Sequence, residues 1–224
     1  MIFKVASVDS LVIYFGNEID PNIANIVQKA YLSLKHLNIE GIIELIPSYT
    51  SIFISYDIFL HDYDSLVVLL KNNIDVNFED TSKKEIISID VYYGIEVALD
   101  LKDISTKTLL SIDEIINLHS QKYYDVYAIG FAPGFAFLAS VDEQIAMPRL
   151  PSPRKNVPKG SVAIADKQTA VYPQSSPGGW NIIGRTAMEL FDKKLEELSP
   201  LSVGVQVKFN PINKKEFLKQ GGII

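Results

Sequence analysis

Two segments rich in proline, glycine and aromatic residues are the parts of this sequence whose residue types could hold a small ligand. Residues 133–135 read Pro-Gly-Phe, and residues 176–180 read Ser-Pro-Gly-Gly-Trp. Because proline fixes the φ angle and glycine can adopt positive φ, both segments are expected to form loops of defined shape. Loops of this kind, with exposed backbone N–H groups, are typical of sites that bind small anions.

A basic, proline-rich run lies between these two loops and adds two arginines to the candidate site. It covers residues 147–160, and within it Arg149 and Arg154 each follow a proline. The planar guanidinium fork suits carboxylates and phosphates, so these arginines could capture such an anion. They could also do no more than keep an exposed loop soluble.

The second loop admits both a binding and a packing interpretation. Gly178 and Gly179 could let the backbone approach a ligand and form an N–H nest for an anion, or they could simply form a turn. Trp180 could line a pocket or pack in the core. The period of two along a strand places Arg185 on the face opposite to Trp180.

Three phenylalanines surround the first loop. Phe131, Phe135 and Phe137 alternate around the Pro-Gly turn. We expect them to form a buried aromatic strand rather than a platform on which a ligand stacks.

His119 is a candidate acid or base. It lies near the end of a helix that a capping box starts at Ser111. A histidine there could transfer protons or bind substrate, or it could merely be favoured by the helix dipole. The other histidines, His36 and His61, are far apart in sequence, so no metal site is expected.

The sequence contains no P-loop, no G-x-G-x-x-G motif and no G-x-S-x-G motif.

The composition excludes several classes of protein. The 224 residues carry a formal net charge of −6 and include no cysteine. This charge argues against non-specific nucleic-acid binding, and the lack of cysteine excludes disulfides and thiolate chemistry. The longest uncharged run, 126–141, is too short for a membrane span, and the N-terminus lacks a signal-peptide pattern. We therefore expect a cytoplasmic protein with no membrane or nucleic-acid partner.

The chain is predicted to have two domains in an α+β fold. In residues 1–92, Asp20 and Pro21 start the first of two helices, in the order strand, strand, helix, strand, strand, helix, strand. This order, with its last strand at 85–92, is close to a ferredoxin-like α/β sandwich. Residues 93–224 contain one clear helix over 111–121 and many short strands, which favour a β-barrel or sandwich.

Four motifs, matching in order and spacing, resemble the family of B-type 5-oxoprolinase subunits. They are Tyr-Ala-Ile-Gly-Phe-Ala-Pro-Gly-Phe at 127–135, Pro-Arg-Leu-x-x-Pro-Arg-x-x-Val-Pro-x-Gly-Ser-Val at 148–162, Gln-Thr-x-x-Tyr-Pro at 168–173 and Ser-Pro-Gly-Gly-Trp-x-x-Ile-Gly-Arg-Thr at 176–186. The family also contains the sporulation-kinase inhibitor and the first-subunit type of allophanate hydrolase. It is related to a carboxyltransferase-type region of urea carboxylases.

The resemblance implies a cyclophilin-like β-barrel over residues 93–224, without prolyl isomerase activity. It implies a subunit that is inactive alone and acts with a related second, C-type component and a third, A-type component. Together they open 5-oxoproline to L-glutamate, and the assembled complex would use ATP. On the family's motif positions, the catalytic candidates are His119, Arg149 and Arg154. The candidates for binding substrate or an anion are Pro133, Gly134, Phe135, Gln168, Tyr172, Ser176, Gly178, Gly179, Trp180 and Arg185.

The resemblance leaves two other functions open. The chain could inhibit a sensor histidine kinase, or it could be a subunit of a urea carboxylase/allophanate hydrolase system. It also departs from the family after Gly94, where a Gly- and Pro-containing turn is replaced by Ile-Glu-Val-Ala-Leu at 95–99. If this loop lines the site, a ligand would have less access to the backbone there.

Overall fold

The protein forms two compact units, Met1–Lys83 and Lys84–Ile224. They are described by a computed structural model over residues 1–18, 20–79, 85–194 and 196–224. Within this part of the chain, no helix is long and apolar enough to cross a membrane.

The N-terminal unit is a four-stranded antiparallel sheet with two helices. Its elements are β1 (Ile2–Ser7), β2 (Ser10–Tyr14), α1 (Pro21–Leu37), β3 (Ile42–Pro47), β4 (Ser51–Tyr56) and α2 (Tyr63–Asn73). The strand order is β1-β2-β4-β3. Leu11 pairs with Ile54 and Ile13 with Ile52, so fully buried side chains share one face of the sheet and pack with apolar residues of both helices.

The helix starts in this unit follow the predicted capping chemistry. The Asp20 carboxylate accepts hydrogen bonds from the backbone N–H groups of Asn22 and Ile23, at 2.8 and 3.3 Å, and Pro21 opens the helix. These bonds satisfy donors that have no partner within the helix, which is why the helix begins there.

The C-terminal unit is built on a closed seven-stranded β-barrel. Its elements are β5 (Ile86–Tyr92), α3 (Leu101–Thr108), α4 (Ile112–Ser120), β6 (Tyr123–Ile129), β7 (Ala136–Ala139), a 3₁₀ turn (Glu143–Ile145), β8 (Arg154–Val157), β9 (Ser161–Ala165), β10 (Gln168–Val171), β11 (Ser176–Gly178), β12 (Asn181–Arg185), β13 (Gln206–Ile212) and α5 (Lys214–Lys219). The barrel order is β10-β7-β6-β13-β5-β12-β9, and β8 and β11 form a separate ribbon. The predicted α+β class with a C-terminal barrel is confirmed.

Strand β5 belongs to the barrel and not to the N-terminal sheet. The sequence interpretation ended the first domain at residue 92, whereas the two units divide between Lys83 and Lys84. The strand itself was predicted over 85–92, but its partner is β13, 120 residues further on, with which it pairs in parallel. Ile89 and Val91 of β5 are fully buried. A strand pattern does not reveal which sheet it joins, and this explains the error.

The barrel wall is buried on both sides at strand β9. Val162 and Ile164 pack in the barrel interior, whereas Ala163 and Ala165 pack outside it with Trp180. All four side chains are fully buried. Alanine leaves room for large aromatic side chains against the outer face of the wall, and the candidate site lies there.

Several short elements were not predicted from the sequence. They are α3, α5 and the β8–β11 ribbon. The aromatic strand expected around residues 131–137 is present only from Ala136 onward, as β7. The capped helix α4 was predicted correctly. The Ser111 hydroxyl accepts from the Glu114 N–H at 3.2 Å, and the Glu114 carboxylate accepts from the Ser111 N–H at 2.7 Å.

Candidate functional site

The two loops singled out by their composition come together in one small pocket, here called the aromatic pocket. Its volume is about 120 Å³, and it is lined by Phe131, Phe135, Phe137, Arg149, Tyr172, Pro177, Gly178, Gly179 and Trp180. Pockets for drug-sized ligands usually measure ~300–1,000 Å³. The aromatic pocket therefore suits a small molecule.

The buried ring of Phe135 organises the pocket wall. Its centroid lies 4.9 Å from that of Phe137, 5.4 Å from Tyr172 and 5.9 Å from Trp180, each in an edge-to-face arrangement. Such arrangements are the favoured geometry of aromatic pairs. The wall is therefore held together by contacts among its own rings.

Gly134 gives the first loop its shape. Its φ is +78°, which only glycine adopts easily. A Cβ at this position would overlap the carbonyl oxygen of Leu190. Pro133 and Gly134 thus turn the chain and deliver Phe135 to the pocket, but neither lines it.

Of the two interpretations left open for the paired glycines of the second loop, the structure favours packing over an anion nest. A nest of the αR–αL type needs a left-handed residue, and neither Gly178 nor Gly179 has positive φ. A Cβ on Gly178 would instead overlap the Tyr172 hydroxyl. Gly178 is needed because a side chain of the pocket wall packs against its backbone.

Arg149 is the cation of the aromatic pocket. Its side chain is exposed, and its guanidinium carbon lies 5.7 Å from the centre of the Trp180 ring. This is the range of a cation–π interaction. Within the described ranges, no ion pair joins Arg149 to a carboxylate. It is therefore free to pair with the anionic group of a ligand.

Arg154 is bound within the protein. Its Nη2 donates to the Asp100 carboxylate at 2.6 Å, and its Nη1 donates to the Trp180 carbonyl at 3.5 Å. The Asp100 side chain is only 4% exposed and also accepts from the Ile182 N–H at 2.6 Å. Arg154 therefore holds the strand behind Trp180 in place, which argues against its predicted catalytic role.

Tyr172 lies near both arginines. Burial raises the pKa of its hydroxyl, and the charges of Arg149 and Arg154 act in the opposite direction. The phenol therefore stays neutral at physiological pH. Its hydroxyl can donate a hydrogen bond.

His119 lies inside the barrel and does not line the aromatic pocket. It is fully buried; its Nδ1 lies 2.8 Å from the Tyr93 hydroxyl, and its Nε2 lies 2.9 Å from the Thr169 hydroxyl. Its ring stacks on Phe209 at 4.6 Å. Burial lowers the pKa of His119 to about 3, so it is neutral and paired on both nitrogens. This position argues against the predicted role as proton carrier.

Three more candidates lie outside the pocket. The Arg185 Nη1 donates to the carbonyl of Ile223 at 2.9 Å, and the side chain is buried. Gln168 is buried at the start of β10, where it pairs with Ala165. Ser176 lies on β11 opposite Val157. None of the three lines the aromatic pocket.

The altered loop at 95–99 does not line the aromatic pocket either. Val97 and Ala98 are buried, and both backbone N–H groups donate to the Gly94 carbonyl. The loop leads directly into Asp100. Its effect on the site is therefore indirect, through the carboxylate that holds Arg154.

Sequence reasoning missed two parts of the site. Phe131 was expected in a buried strand, but it is 66% exposed and lines the pocket. Asp100 was not singled out, because no local pattern marks a carboxylate whose partners are 54 and 82 residues away. Among the described residues, no group of three His, Cys, Asp or Glu side chains could hold a metal ion.

Comparison with known proteins places this architecture in a family. Residues 1–201 match the family model described as "Carboxyltransferase domain, subdomain C and D". The chain belongs to this family. It is similar to the B-type 5-oxoprolinase subunit of Bacillus subtilis (strain 168), with 36% identity over 93% of this chain and 91% of that protein. The B-type 5-oxoprolinase subunit of Haemophilus influenzae is 37% identical over 76% of this chain and 79% of its own length. The family resemblance predicted from the motifs is confirmed.

Solved structures show the same fold. TTHA0988 superposes with a TM-score of 0.78 at 30% identity, over 91% of this chain and 40% of that one, so this chain spans less than half of that protein. PH0987 of Pyrococcus horikoshii gives a TM-score of 0.58 at 37% identity, over 96% of this chain and the whole of its own. The urea amidolyase of Kluyveromyces lactis gives 0.73 at 17% identity, over 97% of this chain and 15% of its own, which shows a shared fold alone.

Proposed function

We propose that this chain is the B-type component of an ATP-dependent 5-oxoprolinase, which opens 5-oxoproline to L-glutamate. The observation that carries the proposal is the 36% identity to a B-type 5-oxoprolinase subunit over nearly the whole of both chains. The partners would be one component of C type and one of A type. The urea-pathway alternative gains no support, because at 17% identity the urea amidolyase shares only the fold.

The aromatic pocket is the place where this chain would contact the substrate. 5-Oxoproline is a small, nearly flat lactam ring that bears a carboxylate. The faces of Trp180 and the phenylalanines can cover such a ring, and the exposed guanidinium of Arg149 can pair with the carboxylate. The Tyr172 hydroxyl adds a neutral donor within the same wall.

The chemistry of ring opening needs more than this pocket. A lactam carbonyl is a poor electrophile, so ATP would transfer its γ-phosphoryl group to the amide oxygen. Water would then attack the activated carbon and the C–N bond would break, giving glutamate, ADP and phosphate. This chain has no P-loop. Nucleotide would therefore bind to a partner component or at a shared surface, which agrees with a chain that is inactive alone.

The experiment that tests the proposal is reconstitution with one component omitted at a time. The three components are purified separately and mixed, and ATP hydrolysis is measured with and without 5-oxoproline. We expect 5-oxoproline-dependent turnover only when this chain is present. Equal turnover without this chain would refute the proposal, as would a stable complex of all three components that shows no turnover.

A further inference from the structure

Phe131 holds a backbone conformation that a bulky residue rarely adopts. Its φ is +71°, in the left-handed region that favours glycine and, less often, asparagine. Residues held in this region are strained, and they cluster at ligand-binding and catalytic sites. The reason for this conformation therefore needs to be found in its surroundings.

A tight turn holds Phe131 in this conformation. The Gly130 N–H donates to the Phe135 carbonyl at 3.1 Å, and the Phe135 N–H donates to the Ala132 carbonyl at 2.9 Å. The Phe131 ring stands edge-on to that of Phe135, with centroids 5.2 Å apart. The turn thus fixes both the backbone and the direction of the ring.

Core packing does not explain the strain. Strain at a core residue is offset by burial of its side chain, but the Phe131 ring is 66% exposed. The other rings of the aromatic pocket are far less exposed, with Phe135 at 2%, Tyr172 at 2% and Trp180 at 4%. Phe131 is therefore an apolar ring held in water at the rim of a small aromatic pocket.

The rim carries the two groups that a small cyclic carboxylate needs. Arg149, also exposed, offers a guanidinium that forms no ion pair with any described residue, and Phe131 offers an apolar face with much of its surface still to bury. Covering this ring with ligand would remove apolar surface from water and keep solvent away from the ligand. Neither gain is available to the free protein.

We propose that Phe131 is a substrate-binding residue, whose ring covers the flat ring of a small carboxylate bound in the aromatic pocket while Arg149 pairs with its carboxylate. The proposal rests on the proposed function, because 5-oxoproline is a molecule of this class. It goes further by naming the side chain that contacts the substrate ring. It also gives the reason for the strained backbone.

Substitutions at Phe131 separate the role of its ring in binding from the effect of its strained backbone on stability. Phe131→Gly removes the ring and relieves the backbone, and Phe131→Tyr keeps the ring. Leu109→Gly is the matched control, because Leu109 also has positive φ (+59°), is 91% exposed and does not line the pocket. Both glycine variants are expected to unfold at higher urea concentration than the wild type, since glycine adopts positive φ without strain.

Steady-state kinetics of the assembled three-component enzyme then test the role of the ring. We expect Phe131→Gly to raise KM for 5-oxoproline by roughly tenfold to a hundredfold, the loss that corresponds to one buried phenylalanine contact. Leu109→Gly should leave KM close to the wild-type value, and Phe131→Tyr, which keeps the ring, should avoid most of the increase seen in Phe131→Gly. A lower affinity in a variant that is more stable cannot come from misfolding.

The possible failures differ from one another. If the wild-type enzyme turns over 5-oxoproline and Phe131→Gly has an unchanged KM, the inference is wrong and the proposed function stands. If Phe131→Gly no longer elutes with the other two components, Phe131 contacts a partner and the inference is again wrong. If the wild-type enzyme shows no turnover of 5-oxoproline, the proposed function and the inference fall together.

Discussion

The aromatic pocket and the buried surroundings of His119, formed by Tyr93, Thr169 and Phe209, use similar groups in opposite ways. Each places a side chain that can carry positive charge against an aromatic ring, Arg149 over Trp180 at 5.7 Å and His119 on Phe209 at 4.6 Å. His119 is fully buried and paired on both nitrogens. Arg149 is exposed and, within the described ranges, has no ion pair. The arrangement around His119 therefore stabilises the fold, whereas the arrangement around Arg149 can bind a ligand.

Strand β10 separates the two regions. The Thr169 hydroxyl bonds to His119 inside the barrel, whereas Ala170, next along the strand, packs outside the barrel in the same apolar cluster as Tyr172 and Trp180. Alternate side chains of one strand point to opposite faces. The Gln-Thr-x-x-Tyr-Pro motif at 168–173 therefore contributes to both regions. A residue's presence in this motif does not by itself indicate a role in binding.

The largest predicted effect comes from breaking the ion pair behind the aromatic pocket. Asp100→Ala should destabilise the chain by about 2–4 kcal/mol, because it removes the carboxylate that pairs with the Arg154 Nη2 and leaves the Ile182 N–H without its acceptor. Urea unfolding, followed through the single tryptophan, Trp180, measures the change. Asp103→Ala in the helix that follows is the control, since Asp103 is exposed. A loss below about 1 kcal/mol would show that Asp100 and Arg154 contribute little to stability.

The next effect is a pH dependence that belongs to His119. Its pKa is lowered to about 3 in the folded chain, from about 6.5 when unfolded. Between these values the unfolded state binds a proton that the folded state excludes, so stability falls as pH falls. Going from pH 7 to pH 4.5, the contribution of His119 should decrease by about 2 kcal/mol.

Variants isolate this contribution from that of the carboxylates. His119→Gln should lose less stability than the wild type over the same pH interval, whereas His36→Gln, at an exposed position, should follow the wild type. The measurement is the urea midpoint at several pH values. Identical pH profiles of stability for the wild type and His119→Gln would contradict the conclusion that His119 is buried in its neutral form.

The smallest predicted effect is a difference in stability between alanine variants of two adjacent glycines. Gly178→Ala should cost about 1–2 kcal/mol, because its Cβ would overlap the Tyr172 hydroxyl. Gly179→Ala should cost little, because its Cβ would lie 3.7 Å from the nearest heavy atom. Thermal unfolding of the two variants makes the comparison. Equal costs would mean that the Tyr172 hydroxyl does not set the need for glycine.

The parts of the fold that local patterns control were predictable from the sequence. The Asp20 cap and the Ser111–Glu114 capping box mark helices because their hydrogen bonds join residues a few positions apart. The place of β5 was not predictable, because its pairing with β13 depends on residues far away in the sequence. The prediction of the fold class was correct in spite of this error, because short strands and turns are local features of the sequence.

The sequence allowed us to predict which loops form the site. It did not allow us to predict the role of each residue in them. The two loops chosen for their composition do meet at one pocket, which Phe135, Arg149 and Trp180 line. It could not distinguish Arg149 from Arg154, since both follow a proline and only the fold brings Asp100 to one of them. Phe131 was misjudged because alternation predicts one buried face, whereas the turn rotates this residue to the rim.

Substrate binding in the aromatic pocket is tested most directly by the kinetics of Arg149→Ala in the assembled enzyme. The control is Lys155→Ala, because Lys155 is an exposed cation of the same basic run outside the pocket. A charge-assisted hydrogen bond corresponds to roughly a tenfold to hundredfold change in affinity. We expect Arg149→Ala to raise KM for 5-oxoproline by this factor, with its urea midpoint unchanged and Lys155→Ala like the wild type. An unchanged KM in Arg149→Ala would contradict the claim that the aromatic pocket binds the substrate.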